Sequence, residues 1–188
     1  MTSPLLPALF IGGREFSIAE LSAARLDGDL VVVGAAFAAA GTPVDHRHRA
    51  AAIAADVPSG CTVVGRSAAW LHSGSGAVPL PLEIGVSGPT SRWSRPHRSA
   101  RSMRIRREHR EIVGFGTAAV LTLSPVATII DLARMPRRRG DDALLREVAS
   151  RRGVATDDVF AALDRWTHLP GKREAEARLR TCFGLSRR

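Results

Sequence analysis

Apolar positions change their spacing several times along this 188-residue chain, and each change predicts an element. Ile18, Leu21 and Leu26, with small residues between them, predict a short helix. Ser17-Ile-Ala-Glu20 opens it with the spacing of a capping box, and it ends near Asp27-Gly28. The β-branched stretch from Asp29 to Gly34 predicts a strand, and Gly34, Gly41 and Pro43 mark the next stretch as loop. From His46 to Asp56 the alanine-rich run favours helix, and Pro58-Ser-Gly60 stops it.

Further along, Thr62 to Val64 suits a brief strand, and the small and apolar residues of Arg66-Ser-Ala-Ala-Trp-Leu-His72 suit a buried helical turn closed by Ser73-Gly-Ser-Gly76. Leu82 to Val86 alternates as a strand does, and so does Met103-Arg-Ile-Arg106 after a loop rich in Ser, Pro and Arg. Val113 to Leu123 predicts one or two more strands around Gly114 and Gly116. Ser124-Pro125 supplies an N-cap and an N1 proline for a helix carrying Val126, Ile129, Ile130, Leu132 and Ala133, ended by Pro136. Three helices complete the chain: Asp141 to Ser150, Val159 to Trp166 behind Thr156-Asp-Asp as cap and first-turn acids, and about Pro170 to Cys182. The expected architecture is α/β (α+β), a mixed sheet with packed helices and a helical C-terminal tail.

Composition narrows the class. A hydrophobic fraction of 45% against 24% charged residues fits a folded globular chain rather than a disordered one. The two cysteines, Cys61 and Cys182, have no CxxC or His/Cys partners around them, which indicates neither a disulfide framework nor a zinc site and fits a reducing cytoplasm. The N-terminal apolar run lacks a preceding basic residue and contains Pro4 and Pro7, so it does not predict a signal peptide. No window approaches the length of a spanning helix.

Charge changes the picture more. The formal net charge is +9, and of 27 basic residues only Lys172 is lysine. Residues 92–110 hold eight arginines (Arg92, Arg95, Arg98, Arg101, Arg104, Arg106, Arg107 and Arg110) and one acid, Glu108. That segment therefore carries +7 and the other 169 residues only +2. A second cluster, Arg134 with Arg137, Arg138 and Arg139, is offset locally by Asp131, Asp141 and Asp142. Such a basic strand and leading loop can face a polyanion, with Trp93, His97 and His109 available to stack or hydrogen-bond. Seven phosphate contacts would give a slope of log affinity against log salt of at most about −6. The competing reading is a solvated edge strand whose charges block sheet-to-sheet aggregation.

Candidates for catalysis are sparse. His46 and His48 stand at i and i+2, on different sides of a helix, which is poor metal-ligand spacing. Cys61 and Cys182 read as small core residues. Asp131 lies within an apolar helix, where pairing with an arginine or capping a neighbouring backbone is favoured over a catalytic role. The chain contains no GxGxxG, Walker loop, HExxH or GxSxG. A non-enzymatic protein without cofactor or metal is expected, with an enzyme assembled from dispersed residues such as Asp131, His72 and His109 as the remote alternative.

Three blocks in order, Arg66 to His72, Leu123-Ser-Pro-Val-Ala-Thr-Ile-Ile-Asp-Leu-Ala-Arg134, and Arg151 to Leu163, resemble the AbiEi-type antitoxin family, which has many orphan members in actinobacteria. The likeness spans about residues 17–180. It implies a DNA-binding autorepressor, paired in complete systems with a nucleotidyltransferase toxin encoded nearby. It further implies residues 1–58 as a reduced winged-helix-like segment, 59–140 as the α/β antitoxin-like domain and 141–188 as a helical tail. The Vsr-like endonuclease domain of some relatives is expected to be missing. Within the shared blocks Ser67, Trp70, Leu71, Asp131 and Arg134 are expected to be packing and orienting residues. The expected function is a cytoplasmic DNA-binding regulator or antitoxin using the arginines of 92–110 and Arg137 to Arg139. The rival is an interaction module for an acidic partner or toxin.

Overall fold

A computed structural model describes residues 9–13, 15–90, 93–115 and 117–185. These form seven α-helices, a two-stranded sheet and a mixed five-stranded sheet, an α+β fold. They group into two compact units, one from Met1–Pro58 with Ile112–Val120, the other from Ser59–Glu111 with Leu121–Arg188. Among the described residues no helix is long and apolar enough to cross a membrane.

The first unit begins with α1 (Ile18–Leu26), where Ser17 accepts from the Glu20 N–H and the Glu20 carboxylate accepts from the Ser17 N–H, completing the capping box. Next comes an antiparallel hairpin of β1 (Leu30–Val33) and β2 (Ala36–Ala39), with Val33 opposite Ala36. Loop was expected at β2. The two-residue connection Gly34-Ala35, with Gly34 at φ +61°, is instead the Gly-X turn that matches the twist of paired strands. Val33, Ala36 and Ala38 bury against Ala52 of α2 (His46–Ile53). Asp45 caps α2 by accepting from the Arg47 and His48 N–H groups, and the His48 ring lies 2.7 Å from the same carboxylate.

The five-stranded sheet has the order β5-β4-β3-β7-β6, formed by β3 (Thr62–Val63), β4 (Leu82–Val86), β5 (Arg98–Ser102), β6 (Arg110–Phe115) and β7 (Ala118–Leu123). β3 pairs antiparallel with β4 and parallel with β7, while β4 and β5 run parallel from Leu82↔Arg98 to Val86↔Ser102. The basic strand expected at Met103–Arg106 is therefore displaced upstream to Arg98–Ser102, where the sequence shows no apolar alternation. Residues 103–106 lie outside the strand, with only the Met103 N–H still donating to the Val86 carbonyl of β4 at 2.9 Å. Their alternation has another cause: a Cβ on Gly85 would fall 2.8 Å from the Met103 sulfur and 2.9 Å from an Ile105 methyl, so both side chains fill the space beside a glycine.

Helix α3 (Gly65–Ser73) is buried along its whole length. α4 (Pro125–Arg134) starts at the Ser124 cap, and α5 (Asp141–Arg151), α6 (Thr156–Arg165) and α7 (Lys172–Cys182) pack with it around Ile129, Ile130, Leu145, Val159, Leu163 and Leu179. α6 starts one residue earlier than a Thr156 cap would place it. Ala155 is the N-cap and makes no side-chain bond, so the first-turn acids Asp157 and Asp158 meet the helix dipole alone.

Gly114 stands at φ +138°, and a Cβ there would lie 2.3 Å from the Ala118 carbonyl oxygen and 2.5 Å from the Ala119 Cα. Both obstacles are backbone. Gly114→Ala is expected to destabilise the protein by more than about 1 kcal/mol, read as a lowered urea midpoint at unchanged m-value.

Candidate nucleic-acid interface

The frame of the site is a set of buried ion pairs around the start of α3. Val64, its N-cap residue, has no side-chain oxygen, so the first N–H groups of the helix need other acceptors. Two carboxylates from distant elements supply them: Asp131 of α4 accepts from the Gly65 N–H at 3.0 Å, and Glu83 of β4 accepts from the Arg66 N–H at 2.8 Å. Negative charge is stabilised at that helix end. Gly65 is required here, since its φ is +57° and a Cβ would collide with the Glu83 carboxylate. Ser67 fixes β4 in turn by accepting from the Glu83 N–H, and Trp70 and Leu71 are buried, with the Trp70 indole N–H donating to the Gly76 carbonyl.

Arg66 is 7% exposed and forks onto Asp141, with Nε to Oδ1 at 3.0 Å and Nη2 to Oδ2 at 2.8 Å, while Nη2 also donates to the Pro136 carbonyl. Arg178 of α7 donates to Asp142 and to the Leu132 and Met135 carbonyls at the end of α4. Burial raises the Asp141 carboxyl, but hydrogen bonds from Arg66 and the Arg138 N–H, with the charges of Arg66 and Arg178, more than offset it and hold its pKa below the usual carboxylate value. Asp141 and Asp142, expected to balance the Arg134–Arg139 cluster locally, divide their work. Asp141 serves Arg66, 75 positions away, and Asp142 serves Arg178 and the exposed Arg137.

Beside this frame lies a cleft of about 420 Å³. Its sides come from Arg101 to Arg106 and His109, from Asp131 and Arg134 on α4, and from the α6–α7 connector, Trp166 to Pro170; Leu123, Ala127 and Leu169 add apolar surface. Local bonds hold these parts. The His109 carbonyl accepts from the Ser124 N–H, which ties His109 to the start of α4. Trp166 ends α6 by donating its N–H to the Ala162 and Leu163 carbonyls. Arg134 Nε donates to the Pro170 carbonyl at 2.8 Å, anchoring a connector in which His168 adopts φ +57°, a left-handed conformation uncommon for a residue with a side chain. The His109 and Trp166 rings lie 4.2 Å apart at 45°. Burial pushes the His109 imidazole below its ordinary pKa, opposed by Glu108 and reinforced by Arg106 and Arg165, which favours the neutral ring against Trp166. A second cleft shares Arg106, His109, Ala127 and Trp166 and adds Asp158 and Arg165.

The arginines read from the sequence divide by what they touch. Arg101 is turned inward, its guanidinium 2.5 Å from Asp131, with Arg134 at 3.8 Å from the other carboxylate oxygen. Arg98 donates to the Trp93 carbonyl and Arg95 to that of Ser94. Arg104, Arg106 and Arg107 are exposed, and the closest carboxylate contact among them is Arg106 to Glu108 at 3.7 Å. Arg110 is half-buried, and Arg137, Arg138 and Arg139 are exposed on the α4–α5 connector. Arg92 lies outside the described residues.

Of the dispersed catalytic set, Asp131 and His109 border the cleft; His72 does not, being 1% exposed with Nε2 against the Leu123 carbonyl. Among the described residues no three His, Cys, Asp or Glu side chains gather as a metal site would require. Arg66, Glu83, Asp141 and Trp166 carry roles that the sequence did not reveal. Gly65 at an uncapped helix start was the one local hint that carboxylates must arrive from elsewhere. In comparisons with protein-family profiles, with curated proteins and with solved structures, none matches the chain.

Proposed function

We propose that the protein is a cytoplasmic DNA-binding regulator of the antitoxin type that meets phosphates through the segment running from Arg104 to Arg107. One observation carries the reading: Arg104, Arg106 and Arg107 are exposed within four residues with only Glu108, 3.7 Å from Arg106, to oppose them, while Asp131 is engaged by Arg101 and Arg134 and Glu111 by Arg152 at 3.2 Å. Three exposed guanidinium groups set against one exposed carboxylate, Glu108 beside Arg106, leave a net positive face that attracts a polyanion and releases its counterions. Arg137 to Arg139 extend the exposed positive surface. The resemblance to AbiEi-type antitoxins adds the regulator role and a nucleotidyltransferase toxin as a second partner.

The test is affinity for a 20-base-pair duplex against salt, in the parent and in the Arg104→Ala/Arg106→Ala/Arg107→Ala variant. Removing three phosphate contacts is expected to flatten the log–log salt slope by about 2–3 and to weaken binding at low salt. All three positions are exposed, so folding should be unaffected. Weak binding that is unchanged by the substitutions would overturn the proposal and leave this face to an acidic protein partner.

A further inference from the structure

We infer that the cleft beside Arg104 accepts one unstacked nucleotide, its base against the His109–Trp166 pair and its phosphate on Arg104 and Arg106. The inference rests on the reading of those arginines as phosphate ligands and adds a ligand class to it.

Three features of the cleft converge on that chemistry. Its volume, about 420 Å³, is within the range of small-ligand pockets and accommodates a base and sugar. Its walls combine apolar surface from Leu123, Ala127 and Leu169 with an aromatic pair, which suits a flat heterocycle. Its rim is cationic: four arginines border it against a single carboxylate, Asp131, which is already held by the Gly65 N–H, Arg101 and Arg134. Arg104 is thus left for an anion at the opening, joined by Arg106, whose one carboxylate contact is the exposed Glu108 at 3.7 Å. A duplex cannot present a base to such a cleft without unpairing it, whereas a single strand or a free nucleotide can.

The cleft is also prepared in advance. The connector under Trp166 is pinned by Arg134 on the Pro170 carbonyl, and His109 is pinned by Ser124, so neither ring needs a new backbone bond to take a ligand. Preorganised aromatic surface binds a base with less ordering cost than a mobile side chain would.

The experiment titrates the full chain with three probes: thymidine 5′-monophosphate, a 12-residue oligothymidine, and a 20-base-pair duplex. Binding of labelled oligonucleotides is followed by anisotropy and the cleft by tryptophan emission. The oligothymidine is expected to bind more tightly than the duplex and to quench emission in the parent but not in Trp166→Phe. Trp166→Ala should weaken it about 5- to 100-fold, the range given by loss of one stacked base. Arg104→Glu, at an exposed position without an ion-pair partner among the described residues, should weaken both the single strand and the nucleotide; it decides the matter if Trp166→Ala fails to fold.

The outcomes separate the two readings. Quenching by the monophosphate without oligonucleotide binding would keep the cleft as a free-nucleotide site and overturn the nucleic-acid reading. Oligonucleotide binding that depends on Arg104, Arg106 and Arg107, with Trp166 emission unchanged and Trp166→Ala equal to the parent, would overturn the cleft and keep the nucleic-acid reading. No binding of any probe would overturn both.

Discussion

Replacing Arg66 with alanine is expected to cost the fold about 3–5 kcal/mol, the range for breaking a buried pair by removing one partner. The magnitude reflects the groups left behind. Asp141 is 4% exposed and would keep only the Arg138 N–H at 2.9 Å and Arg178 at 3.5 Å in place of the two-bond fork, and the Pro136 carbonyl would lose its donor. Glu83 would lose the guanidinium 3.6 Å away while still being held at the start of α3 by the backbone N–H of residue 66. Neither carboxylate has an easy route to water. Urea unfolding is the check, and the double variant Arg66→Met/Asp141→Leu should be less damaging than the sum of its singles, because removing both charges leaves neither one buried alone.

The same pair sets an acid limit. The folded Asp141 pKa lies below the unfolded value of about 3.9, so acid protonates the unfolded chain first. Its contribution is complete above that value and is lost as pH falls through the depressed one. Arg66→Ala removes the strongest of the hydrogen bonds that depress it. The stability gap between parent and variant should therefore be wide at about pH 7 and narrower at about pH 3. A gap that does not change with pH would show that the pair is not its source.

Asp131→Ala is expected to cost less, about 2–4 kcal/mol. The buried Gly65 N–H loses its acceptor outright, a penalty of about 1–3 kcal/mol. Arg101 and Arg134 lose their carboxylate too, but their side chains are 33% and 24% exposed and can turn to water. Asp131→Asn, which keeps an oxygen toward Gly65, should recover part of the loss. Affinity for nucleic acid should not fall in either variant that remains folded, because the cleft gains net positive charge when Asp131 is neutralised. Stability by urea and affinity by anisotropy would then move apart. A parallel fall in both would place Asp131 in ligand binding instead of in the frame.

What could be read in advance divides along sequence distance. Ser17 with Glu20, and Ser124 followed by Pro125, satisfy helix starts with residues three or fewer positions away, so their chemistry is complete within a short stretch. The Met103 and Ile105 alternation misled, because it arises from packing beside Gly85 rather than from a strand ladder. β5 itself, Arg-Ser-Ala-Arg-Ser, is recruited by pairing with β4 and has no apolar face to announce it. β2 was legible in principle from Gly34-Ala35 between two apolar runs, but the later Gly41 and Pro43 drew the whole stretch into a loop.

The charge on residues 92–110 belongs to the sequence alone: eight arginines against one acid would make that segment basic in any fold. Which of them can meet a ligand was decided only in three dimensions. Arg101 is consumed by a buried aspartate 30 positions away, while Arg104, Arg106 and Arg107 remain at the surface beside an aromatic pair drawn from two distant stretches of the second unit. Caps and turns close over a few residues and are written locally. A charge becomes an internal strut or a binding group according to the partners that long-range packing brings within hydrogen-bond reach, and burial makes that choice by penalising every charge left without one.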